Sequence, residues 1–260
     1  MKEFKIITKT KIAQLPKTSG VYLLASPKPN GEGGFEIIYI GKAINIKNRV
    51  KNHFQQPSYR DNLFITKISK IGFIETGSEI EALILEANLI KKYQPKFNVI
   101  WKDDKNYFYV AITQPLPVRQ KANGVGASKK SPSIVYITHQ KTEKAEYIGP
   151  FVEGIALKKT LRFLRKALPY YTTKKHSKNN CTYCHLGLCP GPNPDFVEYK
   201  KNIKKLILIL KGKKNNVLNS LKKEMRQLSF KKEFEKAAKI RDRIYNLQQI
   251  MNHTRVIEFE

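Results

Sequence analysis

Two apolar runs set the pattern of the first third of the chain. Gly20–Ala25 (GVYLLA) and Glu36–Gly41 (EIIYIG) are rich in β-formers and flank SPKPNGEGG, a run of turn formers. Together they predict a hairpin with a long loop. The period then lengthens: Ala43, Ile46, Val50 and Phe54 recur at spacings of three and four and predict a helix over Lys42–Phe54. ISKIGFIET (Ile68–Thr76) predicts a further strand. Ile80, Leu83, Ile84 and Ala87 then stripe a helix over Glu79–Tyr93, with Ser78 and Glu81 as a capping box and Pro95 past its end. Residues 1–100 are read as one α/β (α+β) domain, compact over 20–100, a small antiparallel or mixed sheet flanked by helices.

Residues 101–195 hold short strand candidates over 104–151 around a polar insertion, Lys121–Ser131, and then a basic helix from Glu153 that runs into a polar stretch ending at Lys178. Residues 196–260 read helical to 251, with Gly212 as the break. Leu218, Leu221, Met225 and Leu228, followed by Phe234, Ala237, Ile240, Ile244, Leu247 and Met251, form a seam at spacings of three and four. That seam predicts a helical hairpin too small to bury itself fully. The triplet YIG occurs at Tyr39–Gly41 and again at Tyr147–Gly149, where Pro150 is expected to stop the strand.

Charge changes the picture. Lys and Arg number 49 against 21 Asp and Glu, a net +28 over 260 residues, which points to a polyanionic partner. Lys158, Lys159, Arg162, Arg165, Lys166, Lys174, Lys175 and Lys178 follow one another without an intervening carboxylate. Lys158, Arg162, Arg165 and Lys166 are the expected DNA contacts. MKEFKIITKT has no apolar h-region, and the longest apolar run, Leu206–Leu210, is far short of a membrane span, so no membrane role and a cytoplasmic location are expected. The three cysteines all lie between Cys181 and Cys189, which suits one local site better than a disulfide scaffold.

On the predicted helix after Tyr39, Lys42, Arg49 and His53 share one edge beside the apolar stripe. Cationic donors next to a strand-end tyrosine suit a phosphate held for chemistry, since they neutralise the phosphodiester while a phenol moves a proton. The other reading is a solvated basic face. Glu86 sits at the edge of an apolar helix face. Mg²⁺ bound to phosphate keeps most of its waters and requires only one or two carboxylates, so one glutamate suffices.

In order and spacing, these residues resemble the GIY-YIG endonuclease family. The matches are GVY (Gly20–Tyr22), YIG (Tyr39–Gly41) followed by Lys42, then Arg49, then Glu86, and PKFN with Asn98. Within that family the chain looks like the N-terminal half of UvrC, the incision subunit of bacterial nucleotide excision repair, from about Pro16 to Ile250. The resemblance implies Tyr39 as general base with Tyr22 as its partner or rival, Lys42 and Arg49 on the scissile phosphate, Glu86 as ligand of a single Mg²⁺ or Mn²⁺, and Asn98 in support. His53 departs from the family, which commonly carries a tyrosine there, and an imidazole relays protons near neutral pH. The second YIG matches a structural segment.

In the same family four cysteines are thought to hold an iron–sulfur cluster. Here Cys181 and Cys189 match two of them, Thr173 and Asn193 stand at the other two, and Cys184 is extra. Three thiolates with His185, and His176 nearby, would suit Zn²⁺ or a modified cluster; a loop without metal is the alternative. EFEKAAKIRDRI resembles the UVR motif (about 216–251), implying that Phe234, Ala237, Ile240, Arg241 and Ile244 dock UvrB. Nothing remains in this length for a second nuclease or a helix-hairpin-helix module, so a short Cho-like form making one incision 3′ of a lesion in double-stranded DNA is expected. The alternatives are a non-cleaving adaptor for DNA or UvrB, or a stand-alone nuclease of a mobile element.

Overall fold

The computed structural model describes residues 4–29, 33–99, 107–114, 132–141, 144–173 and 181–252. The Lys121–Ser131 insertion and the expected roles of Lys174, Lys175, His176 and Lys178 lie outside them. Two compact units emerge, one built on residues up to Tyr107 with Pro150–Ala156, the other on Phe108–Gly149 with Leu157–Gln248.

The first unit is an antiparallel sheet in the order β1-β4-β2-β3: β1 (Lys5–Thr8), β2 (Gly20–Pro27), β3 (Phe35–Ala43) and β4 (Lys70–Glu75). β2 runs through the centre, paired on both sides, so GVYLLA is buried on both faces and reads as an unbroken apolar run. Tyr22 and Leu24 enter a core with Ile46, Val50 and Phe64; Val21, Leu23 and Ala25 enter another with Ala82, Leu89 and Ile90. α1 (Ile46–Gln55) supplies the first face and α3 (Glu79–Tyr93) the second, with α2 (Tyr59–Asn62) and α4 (Lys96–Val99) as short turns. β1 has no counterpart in the apolar pattern because its side chains are largely exposed at the sheet edge.

The helix expected from Lys42 begins later. β3 stays paired with β2 through Val21↔Lys42 and Gly20↔Ala43, and only Asn45 ends it. The Asn45 side chain accepts the Asn48 N–H at 3.0 Å and caps α1. Lys42 therefore belongs to the strand and does not share a helix edge with Arg49 and His53. The α3 cap follows expectation: Ser78 Oγ accepts the Glu81 N–H at 3.2 Å, and the Glu81 carboxylate reaches back to the Gly77 N–H at 3.0 Å. Gln94, at φ 46°, turns the chain left-handed before Pro95.

In the second unit β5 (Phe108–Thr113), β6 (Val135–Thr138) and β7 (Ala145–Phe151) form a sheet in the order β6-β5-β7. β7 continues through Pro150, contrary to expectation; it is an edge strand of the described sheet, the place where a strand tolerates a proline. Helices follow: α5 (Gly154–Ala167), α6 (Thr182–His185), α7 (Phe196–Leu210), α8 (Lys214–Phe230) and α9 (Phe234–Asn252). Gly212, at φ 81°, separates α7 from α8, and Lys232, at φ 61°, makes the turn from α8 to α9.

Candidate active site

The two glycines of the opening motifs are dictated by close approach. A Cβ on Gly41 would lie 2.6 Å from the Tyr22 hydroxyl and 3.0 Å from the Tyr39 ring. One on Gly20 would lie 2.2 Å from the Ile74 carbonyl oxygen. Gly41 thus leaves the space in which two phenols meet, since Tyr22 pairs directly across from it. Tyr22 and Tyr39 have ring centroids 6.1 Å apart, and Tyr39 stacks on Phe64 at 5.3 Å. Asn98, from α4, fixes the strand beneath them: its Oδ1 accepts the Ile40 N–H at 2.7 Å and its Nδ2 donates to the Ile40 carbonyl at 2.9 Å.

Tyr22 is the hub of the polar contacts. Its hydroxyl lies 2.6 Å from His53 Nε2, with the Tyr39 ring and the Arg49 charge as its neighbours. His53, one turn beyond Arg49 on α1, is buried, and its Nδ1 lies 2.6 Å from Asp61 Oδ1. Asp61 is the member of this cluster that sequence reasoning missed. It comes from a four-residue helix in a segment without periodicity, eight positions past His53, and no motif marks it.

Burial moves the protons. It pushes the Tyr22 phenol well above its ordinary 10 and raises Tyr39 too, with Glu86 adding to the effect on Tyr39 and Arg49 opposing it. His53 is held below its ordinary 6.5, because the loss of solvation outweighs the pull of Asp61. Glu86 is 5% exposed, and burial lifts its carboxyl to about 7 against the Lys42 backbone N–H and side-chain charge.

Glu86 Oε1 accepts the Lys42 N–H at 2.9 Å, while its second oxygen has no partner among the described residues. A buried carboxylate with an orphaned oxygen fits a hard divalent cation that keeps its own waters. Lys42 is placed differently from expectation. Its side chain is only 8% exposed and its Nζ lies 3.1 Å from both Glu79 and Glu153, of the same compact unit, so two carboxylates hold it where a phosphate was expected. Burial works against its charge, but Glu153 and Glu79 prevail and its pKa is raised.

Elsewhere, Lys158, Arg162 and Lys166 are exposed along α5, but Arg165 is turned inward. Its Nε donates to the Leu188 carbonyl at 2.6 Å and to that of Tyr170 at 3.1 Å, so it anchors the cysteine loop and is not a DNA contact. The sulfur atoms of Cys181, Cys184 and Cys189 lie within 4.8 Å of one another and form no disulfide. His185 is exposed and outside that set. Thr173 and Asn193 offer no sulfur, so a cluster held by four cysteines does not fit this loop. On α9, Ala237, Ile240 and Ile244, expected to meet a partner, are buried within this chain. Arg241 and Phe234 remain at the surface, where Phe234 is 64% exposed, and Phe230 (91%) and Tyr245 (60%) join them.

Sheet, helices and phenol pair define residues 18–99 as a GIY-YIG nuclease domain, and the family model that matches there is the UvrC-like GIY-YIG domain. Residues 215–250 match the UvrB/uvrC motif. The chain is 36% identical over 95% of its length to UvrABC system protein C of Caldicellulosiruptor saccharolyticus, and 35% identical over 94% to that of Clostridium novyi. It spans only 40% and 38% of those relatives. The crystal structure of the GIY-YIG N-terminal endonuclease domain of UvrC from Thermotoga maritima, bound to its catalytic divalent cation, magnesium, shares 37% identity. That match covers 35% of this chain and 94% of the other, with a TM-score of 0.30.

Proposed function

We propose that the chain is a metal-dependent DNA endonuclease that makes one single-strand incision, 3′ of a lesion, in nucleotide excision repair after recruitment by UvrB. The observation that carries this reading is the convergence of Tyr22, Tyr39, Arg49 and Glu86 at one strand end. Arg49, exposed beside the two phenols, neutralises the scissile phosphate. Tyr39, less buried than Tyr22 and held by Asn98 through its neighbour Ile40, takes the proton of the attacking water. Lys42 holds the Glu86 carboxylate with its backbone N–H. A single Mg²⁺ or Mn²⁺ at Glu86 would supply Lewis-acid charge to the phosphate oxygens.

The test is incision of a lesion-bearing duplex, with and without UvrA and UvrB, on 5′- and 3′-labelled strands. One cut on the 3′ side that requires UvrB supports the reading. Binding without any cut in Mg²⁺ or Mn²⁺ would favour the non-cleaving adaptor.

The three converging sulfurs support Zn²⁺ as a second bound ion, on the ground that their close grouping offers three ligands to one soft cation. Metal analysis of the purified chain should find about one zinc per chain, lost in Cys189→Ser. Iron with labile sulfide, or no metal at all, would overturn it.

A further inference from the structure

We propose that Asp61 and His53 form the proton acceptor of the cleavage site, drawing the proton of Tyr39 through Tyr22 so that Tyr39 meets the attacking water as a phenolate. The proposal rests on the endonuclease reading and adds Asp61 to it as a positioning residue.

Geometry fixes the proton positions. A carboxylate only accepts, so the 2.6 Å contact from Asp61 Oδ1 requires a hydrogen on His53 Nδ1. The neutral ring then offers a lone pair at Nε2, and the group 2.6 Å from it is the Tyr22 hydroxyl, which must donate. Tyr22 has one proton, already given to His53, so any bond with its neighbour Tyr39, whose ring centre lies 6.1 Å away, must be donated by Tyr39. Asp61 cannot swing away, because its Oδ2 accepts the Ser58 N–H at 2.9 Å and its own N–H donates to Ser58 Oγ at 3.3 Å. The result is a directed chain, Tyr39 to Tyr22 to His53 to Asp61, with the last three buried and Tyr39 partly so.

The step balances. The Tyr39 O–H bond breaks as its proton passes to the Tyr22 oxygen, and the Tyr22 proton passes to His53 Nε2. The products are a Tyr39 phenolate, a neutral Tyr22 and an imidazolium held against the Asp61 carboxylate. The phenolate then takes the water proton, and the imidazolium loses its extra proton to solvent when the site resets. The charged groups around His53 suit this. Asp61 on α2 stabilises the imidazolium, while Arg49 on α1 opposes it but stabilises the phenolate. Tyr22 on β2 and Tyr39 on β3 face the ring at 5.6 Å, and Phe64 closes the remaining side at 6.3 Å. Burial holds His53 below 6.5, so its Nε2 is unprotonated at neutral pH, and the Asp61 carboxylate is what offsets the cost of charging the ring.

Single-turnover cleavage in Mg²⁺ from pH 6 to 9 tests this on the full chain. Asp61→Asn keeps an oxygen for the Nδ1–H but removes the charge and turns an N–H₂ toward the Ser58 N–H, so cleavage should fall by about 10²–10³-fold with DNA affinity unchanged and the melting temperature only slightly lowered. In His53→Ala, added imidazole should restore activity, and a series of substituted imidazoles should restore it in proportion to basicity. A spacer role would show no such dependence. Asp61→Asn cutting within twofold of wild type at every pH would overturn the proposal, as would a folded, DNA-binding His53→Ala that imidazole fails to rescue. Should His53→Ala not fold, ¹⁵N shifts of the wild-type ring decide: a hydrogen on Nδ1 supports the chain, and one on Nε2 alone overturns it. A wild-type protein that cuts no DNA sinks the endonuclease reading, and the same ring measurement still decides the proton chain.

Discussion

At the residue scale the site turns on two acids, Glu86 and Tyr39, that burial holds toward their protonated forms. As the proposed cation ligand, Glu86, lifted to about 7, would bind only when ionised, so Mg²⁺ affinity should fall as pH drops below about 7, approaching tenfold per unit. Without metal the sign reverses for stability. A carboxyl raised from 4.5 to about 7 favours the fold while protonated, and about 3 kcal/mol is lost as pH rises through that window. Thermal melting of the metal-free protein across pH 5–8 checks this, with Glu86→Gln giving a flatter profile. For Tyr39, removal of one hydroxyl leaves the Phe64 stack intact, so Tyr39→Phe should cost cleavage about 10²–10⁴-fold and stability little. Full activity in Tyr39→Phe would move the base to Tyr22.

Among elements, what was legible depended on which period governed each residue. Tyr22, Tyr39, Arg49, Glu86 and Asn98 sit at motif spacings, and strand pairing and helix caps bring the places expected of them into one site. Lys42 was misplaced because the three-and-four stripe from Ala43 runs into the strand end, and ladder pairing with β2 prevails until Asn45 caps the helix. Asp61 was invisible, being set by a turn whose hydrogen bonds to Ser58 no periodicity encodes. The α8–α9 hairpin shows the same limit: its seam was readable, but not which side of it stays exposed. Since Ile244 is buried and Phe230 and Phe234 are not, the two kinds of substitution should separate. Phe230→Asp with Phe234→Asp should abolish UvrB capture in a pull-down with melting unchanged. Ile244→Asn should instead destabilise by about 3 kcal/mol. Retained capture by the double aspartate variant would mean that the partner is met elsewhere.

At the scale of the whole molecule, the net charge of +28 belongs to no single site. The exposed Lys158, Arg162 and Lys166 on α5 are a small share of it, and Lys42 and Arg165, which the sequence had assigned to nucleic acid, are committed to carboxylates and carbonyls. Affinity for DNA should therefore be diffuse, carried by counterion release and steeply salt-dependent, whereas cleavage should hang on the one carboxylate proposed to hold the cation. The two separate in Glu86→Gln, which removes the charge that holds the cation and keeps the shape of the side chain. Its DNA dissociation constant should stay within about twofold of wild type, with the same slope of log affinity against log salt, because no phosphate-binding cation is lost. Cleavage in Mg²⁺ should fall below detection. Fluorescence anisotropy between 50 and about 200 mM salt, paired with a gel assay on the same duplex, measures both. A variant that cuts at near wild-type rate would remove Glu86 from the metal site, and one that loses DNA binding would mean that affinity is concentrated at the active site after all.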